Sequence, residues 1–229
     1  RIVNGLKELH IDMAQVEGIF ISHEHSDHIA GLQQLLKRFD IPVYTKQGTW
    51  REIQDKLVVP KNQLIELTKG SLTLGNLIVE PFAVSHDAAD PIGINVFSGN
   101  DKATVVTDTG IISDDILHRL DDSTLLVLEA NYDPHMLRFG PYQPFLKQRV
   151  ASDEGHLSNE MAAQALLMMK RPDFMQVILA HRSENNNNAV LVTQTIGKML
   201  VDGGVRIGPE MKLQHGQPNE IVSMQSVKR

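Results

Sequence analysis

Residues 18–28 read Gly18-Ile-Phe-Ile-Ser22-His23-Glu24-His25-Ser26-Asp27-His28. A short apolar run ends directly on three histidines and an aspartate within six positions. Ile29, Leu32, Leu35, Leu36 and Phe39 then recur at helical spacing. The pattern predicts a strand, a polar turn and an amphipathic helix. A turn leaving a strand end lets alternate side chains converge: His23 and His25 face one point while Asp27 and His28 turn toward a second. Imidazole and carboxylate suit zinc, manganese or iron. A solvated helix start with Ser26 or Asp27 as N-cap is the plainer reading, but it leaves three clustered histidines unexplained.

Composition narrows the field. The chain has 229 residues, 41% hydrophobic and 22% charged, which suits one ordinary domain with a real core. Residues 1–229 are therefore expected to form a single domain. No apolar run reaches the roughly 20 residues a membrane span needs, and no signal segment opens the chain. The expectation is a cytoplasmic protein. The cysteine count is zero, which excludes disulfides, thiolate-bound zinc, iron–sulfur clusters and a thiol nucleophile. At a net charge of −6 there is no global cationic field, so any nucleic-acid contact has to come from a local patch. The sequence opens on Arg1, with Ile2, Val3, Leu6 and Leu9 already at helical spacing, and an N-terminally incomplete domain is expected.

Outward from the histidine cluster the elements alternate. Pro42–Thr45 reads as a strand and residues 46–57 as a helix with Trp50 and Ile53 inward. Runs at 64–67, 71–74 and 77–84 predict antiparallel strands, followed by strands at 92–97 and 103–107. Leu125–Leu128 is a buried strand by composition, and residues 131–157 are expected to be irregular and functional, given Pro134, Gly140, Pro141, Pro144 and Gly155. A helix at 159–169 is expected to put Met161, Leu166, Met168 and Met169 in the core. A strand at 175–180, a helix at 189–200 and closing strands around Val205, Ile207 and 221–224 complete the reading. Three predicted strands end on further donors: His86, Asp108 and His181. One histidine motif supplies too few ligands for two ions, and these positions supply the rest.

The set H-x-H-x-D-H, then His, Asp and His, resembles the metallo-β-lactamase superfamily. The resemblance runs from about residue 16 to 200. It implies an αββα sandwich of the α/β (α+β) class carrying two divalent metal ions, zinc or manganese. By that resemblance His23, His25 and His86 hold one ion, Asp27, His28 and His181 the other, and Asp108 bridges them. Pro81–Asp87, Leu128–Asp133, Gly140-Pro-Tyr142, Leu146–Arg149, Gly155-His-Leu-Ser-Asn159 and His181–Asn186 together resemble the YycJ/WalJ-type group. That group is associated with 5′-to-3′ DNA exonuclease activity and lies near the RNase Z-like phosphodiesterases. Two departures stand out. The family's N-terminal strands precede the point where this sequence starts, and Arg182 stands where an apolar residue is usual.

A phosphodiester is an anion that water attacks slowly. Two cations about 3.5–4 Å apart activate a water and clamp the phosphate oxygens. Asp27 counts among the catalytic groups. Glu129 and His156 are assigned as a carboxylate–imidazole pair, His156 protonating the leaving oxygen or binding phosphate. Ser158, Asn159, Ser183 and Asn185 are expected at the substrate. Residues 134–150 carry His135, Arg138, Lys147 and Arg149 but no acid, interleaved with Phe139, Tyr142 and Phe145. They read either as a strip for backbone phosphates and stacked bases or as a covering loop with inward aromatics. His10, His118, His135 and His215 lack partners in sequence and are read as ordinary histidines.

The expected activity is a metal-dependent hydrolase acting on DNA, with water attacking the phosphodiester. Alternatives of the same superfamily are a small-molecule ester or thioester hydrolase and a cyclic-phosphodiester hydrolase. A G-H-T-type motif would mark the glyoxalase II relatives, and here His86 sits in Val84-Ser-His-Asp87. A non-catalytic metal-binding regulatory module is the other class, and seven intact donors argue against it.

Overall fold

The structure is a computed structural model that describes residues 1–68, 70–218 and 220–222. After α1 (Ile2–Glu8), the strands β1 (Ile19–Phe20), β2 (Val43–Thr45) and β3 (Leu64–Glu66) pair in parallel in that order. Parallel neighbours need crossover segments. These are α2 (Ser26–Ile29) with α3 (Leu32–Leu36), and α4 (Gln47–Gln54). Ile29, Leu32 and Leu36 pack with Trp50 and Ile53 of α4 onto Ile21 and Val43.

The larger sheet runs in the order β10-β9-β8-β7-β6-β5-β4. Its strands are β4 (Leu72–Leu74), β5 (Leu77–Ala83), β6 (Ile92–Ser98), β7 (Asp101–Val106), β8 (Leu125–Glu129), β9 (Met175–Ala180) and β10 (Met211–His215). The helices of this half are α5 (Asp114–Leu120), α6 (Pro134–Phe139), α7 (Pro144–Val150), α8 (Asn159–Met168) and α9 (Ala189–Asp202). Ile116, Ala162, Leu166, Val192 and Ile196 of α5, α8 and α9 cover Val106, Leu126, Leu128 and Val177 in the main core. A third cluster of Tyr44, Leu67 and Ile92, with Phe20, Leu72, Leu74 and Ile94 against it, joins the two sheets. The layers are therefore helix, sheet, sheet, helix, the αββα sandwich expected from the sequence.

Strand direction places the chemistry. β5 to β6 and β6 to β7 are antiparallel steps, while β7, β8, β9 and β10 are parallel. Two reversals return β5 to the direction of β7, so β5, β7, β8 and β9 all finish at one edge. The turn after β1 is stitched to that edge. Ile92 N, at the start of β6, donates to Ser22 O at 3.1 Å, and within the first sheet Thr45 Oγ1 donates to Ile21 O at 2.7 Å.

Several local expectations are revised. The helix predicted over 29–39 is split at Ala30-Gly31, where glycine weakens helical propensity. β3 joins β2 in parallel instead of extending the antiparallel run. Residues 134–150 hold two short helices, each with proline at its start, where the missing N–H costs nothing. Met168 is 67% exposed, whereas Leu166 and Met169 are buried. The last strand is Met211–His215, with Ile207 in an isolated bridge to Met211. Ile221 and Val222 lie outside any strand, and positions 223–224 lie outside the described residues. Among the described residues no helix is long and apolar enough to cross a membrane.

Leu128 is fully buried on β8. Leu128→Ala is expected to cost about 2–5 kcal/mol, read as a lower denaturant midpoint with an unchanged slope. Val105→Ala on the neighbouring strand removes a side chain that is 42% exposed. It should shift the midpoint far less.

Candidate metal centre

All seven donors expected from the sequence come together at the shared strand edge. His23, His25 and His86 form one group whose ring nitrogens lie within 4.8 Å of one another. Asp27, His28 and His181 form a second on the same measure. Asp108 sits between them: its Oδ2 is 3.3 Å from His28 Nε2, and its Oδ1 is 3.4 Å from His181 Nε2 and 3.8 Å from His86 Nε2. Asp108 and His181 are held in left-handed backbone, at φ 57° and 53°. That conformation costs a side-chain-bearing residue about 1–2 kcal/mol. Here it turns the residue after a strand back toward its neighbours.

The rings are aimed by their far nitrogens. His86 Nδ1 donates to Gly155 O at 3.1 Å, which leaves Nε2 with a lone pair 3.3 Å from His25 Nδ1. Gly155 has no room for a side chain, because a Cβ would lie 2.3 Å from the carbonyl oxygens of Arg149 and Val150. Ser22 Oγ lies 3.1 Å from His23 Nδ1 and 3.3 Å from His28 Nδ1. Glu129 is fully buried at the end of β8. Its Oε1 accepts from His156 Nδ1 at 2.9 Å and from His181 Nδ1 at 2.7 Å. Its Oε2 accepts from the backbone N–H groups of Thr109 and Leu157 at 3.2 and 3.1 Å. Four donors occupy this carboxylate, so it orients both rings and has little left for an ion.

The electrostatics set His181 apart from His23, His28 and His86. Burial, reinforced by the neighbouring His28, His86 and His25, pushes His23 down to about 2, so it is a neutral base. Burial likewise lowers His28 and His86, against the pull of Asp108. Burial alone would raise Glu129, but the hydrogen bonds from His156 and His181 hold it well below the carboxylate range. Burial works to lower His181, and its bonds to Asp27 and Glu129 outweigh that and raise it to about 10. His23 Nε2 and Asp108 Oδ2 are buried without a hydrogen-bond partner. Buried polar atoms need a partner. His23 and Asp108 share a group with His28 whose donor atoms lie within 4.8 Å of one another, and a neutral imidazole beside a carboxylate fits a divalent cation.

Residues 4–181 match the family Beta-lactamase superfamily domain. The chain is 34% identical over 223 residues to exodeoxyribonuclease YycJ of Bacillus anthracis, covering 96% of this chain and 84% of the relative. It is 31% identical over 224 residues to exodeoxyribonuclease WalJ of Streptococcus pneumoniae, covering 96% and 83%. The chain belongs to the beta-lactamase superfamily. The metallo-β-lactamase fold protein YhfI from Bacillus subtilis superposes with a TM-score of 0.65 at 14% identity, over 94% of this chain and 79% of that one, which speaks to fold alone. As a superfamily member with YycJ and WalJ as relatives, the chain is a metal-dependent hydrolase.

Beside the donor cluster opens a cleft of about 1040 Å³, lined by Asp27, Tyr142, Arg149, His156, His181 and Ser183 among others. Asn185 also lines it, within 3.5 Å of Tyr142 Oη. Ser158 and Asn159 do not line this cleft. Ser158 is buried, and its hydroxyl accepts from Met161 N as the cap of α8. Asn159 is fully buried, and its amide exchanges hydrogen bonds with that of Asn187 at 3.1 and 2.8 Å. Three residues to which the sequence reading gave no role hold the site. Asp87 Oδ1 lies 3.5 Å from His86 Nε2, and its Oδ2 accepts from Arg149 Nε. Asn131 Nδ2 donates to His181 O at 2.8 Å. Gly155 supplies the carbonyl under His86. Asp87 could have been found from its place directly after His86. The other two carry no local signal.

Glu129→Gln keeps the shape of the side chain but presents an amide N–H to donors already in place. Removing an orienting partner of this kind typically costs about 10- to 100-fold in metal affinity. Titration with zinc and a thermal scan should both register the change, and a binding curve equal to wild type would show that the carboxylate is not needed to aim His181.

Proposed function

We propose that the chain, acting as one metallo-β-lactamase-like domain, is a two-metal phosphodiesterase that removes nucleotides from the 5′ end of DNA. The observation that carries this reading is the convergence of seven donors, in overlapping groups, around one shared carboxylate, Asp108. The exodeoxyribonuclease relatives, matched over 96% of the chain, support nucleic acid as the substrate. His23, His25 and His86 would hold one ion, Asp27, His28 and His181 the other, with Asp108 serving both. Bound there, two divalent ions, zinc or manganese, offset the phosphate charge and make water a stronger nucleophile.

The protein groups divide the remaining work. His156 lines the cleft, and with Nδ1 fixed on Glu129 its Nε2 is left for substrate. It donates the proton that the leaving 3′-oxygen requires. The Asp27 side chain is 65% exposed at the cleft and can accept a proton from the attacking water. Ser183 and Asn185 line the wall where the flanking nucleotide would lie.

Purified protein should carry two divalent ions per chain by elemental analysis. Asparagine tolerates left-handed backbone, so Asp108→Asn tests the charge without refolding the turn. It should weaken both sites, whereas His86→Ala should weaken mainly one. A single tight ion with no second site on titration counts against the two-metal reading.

A 5′-labelled duplex should yield mononucleotides with manganese or zinc, at a rate that falls as salt rises. His156→Ala should keep both ions and lose about 10²–10⁴-fold in kcat with little change in KM, the signature of a lost general acid. Loss of an ion in that variant would make His156 a ligand. A thioester cleaved faster than any DNA would point to the glyoxalase-like alternative.

A further inference from the structure

The segment 134–150 runs against the character of the rest of the molecule. In a chain of net charge −6 it holds Arg138, Lys147, Arg149 and His135 and no acid. Its own small core is filled by Tyr132, Leu137 and Val150, with Tyr142 and Leu146 against them. Phe139 and Phe145 take no part in it, at 68% and 70% exposure. Lys147 Nζ donates to Arg138 O at 2.8 Å, which ties α7 to the end of α6. The ring of His135 lies 4.6 Å from that of Phe139, and the Arg138 guanidinium lies 5.3 Å from the same ring.

This exposed strip continues into the cleft. Arg149 lines the cleft, and Phe145 stands four residues before it, on the same face of α7 and one turn further out. Arg149 gives only its Nε to Asp87, and a guanidinium has five N–H donors. An aromatic face one turn from an oriented cation, in a stretch without acids, matches a base followed by its phosphate. Exposed aromatics beside cationic groups are how single-stranded nucleic acid is held without reading its sequence.

We propose that α6 and α7 form a lip that grips single-stranded DNA as it enters the cleft, with bases stacked on Phe145 and Phe139 and a phosphate on Arg149. Asp87 positions Arg149 for that contact and ties the lip to the His86 side of the donor cluster. The inference rests on the nucleic-acid reading above and adds the place where the strand is held.

The test compares two substrates, a 5′-phosphorylated single-stranded 12-mer and bis(p-nitrophenyl) phosphate, a diester too small to reach the lip. For Phe139→Ala/Phe145→Ala the ratio of oligonucleotide to small-diester kcat/KM should fall at least tenfold, mostly through KM, since each stacked base typically contributes a several-fold to hundredfold gain. Phe145→Trp should retain the ratio. A wild-type ratio in the double alanine variant, with oligonucleotide cleavage intact, overturns the lip and leaves the nuclease reading standing. Cleavage of the small diester but no oligonucleotide by wild type overturns the nuclease reading, and the lip with it.

Discussion

One buried carboxylate organises the centre. Glu129 has no contact with solvent and receives four hydrogen bonds, two from histidine rings and two from backbone N–H groups. Those backbone groups belong to the turns after β7 and before α8, so the same two oxygens fix both loops and both rings. A buried anion is tolerated only when it is fully paired. The geometry of His156 and His181 follows from this pairing more than from the packing around them.

The remaining ligands obey a directional constraint. Strands that end on the same edge deliver their next residues to the same place, and β5, β7, β8 and β9 share that edge. Left-handed backbone at Asp108 and His181 then bends two of those residues inward. Hydrogen bonds fix the backbone at both points: Thr109 N is held by Glu129, and His181 O by Asn131. Strained conformations of this sort gather at functional sites.

Much of this was legible in the sequence because it is local. His23 to His28 form a contiguous motif, and the apolar runs before His86, Asp108 and His181 mark strand ends without reference to the rest of the chain. What stayed hidden depends on long separations. Glu129 meets His181 across 52 residues and Gly155 meets His86 across 69, and nothing near either position announces the partner. Prolines misled in another way: Pro134 and Pro144 suggested irregular chain, yet both open helices. Nothing in the asparagine run at 185–188 points to what it braces. Asn187 in fact cross-braces the turn after β8, donating to Ala130 O and Asn131 O as well as to Asn159.

The donors also come from both halves of the sandwich. His23, His25, Asp27 and His28 follow the first sheet, whereas His86, Asp108 and His181 follow the second. Their alignment is a mechanical tolerance set by the seam, where Tyr44 and Leu67 meet Ile92 and a backbone bond runs from Ile92 to Ser22. A slip of one sheet over the other would misplace half the coordination shell at once while leaving each half internally sound. The apolar seam is thus the calibrating part of the centre. A change of volume there would detune the site from a distance, without touching a single ligand.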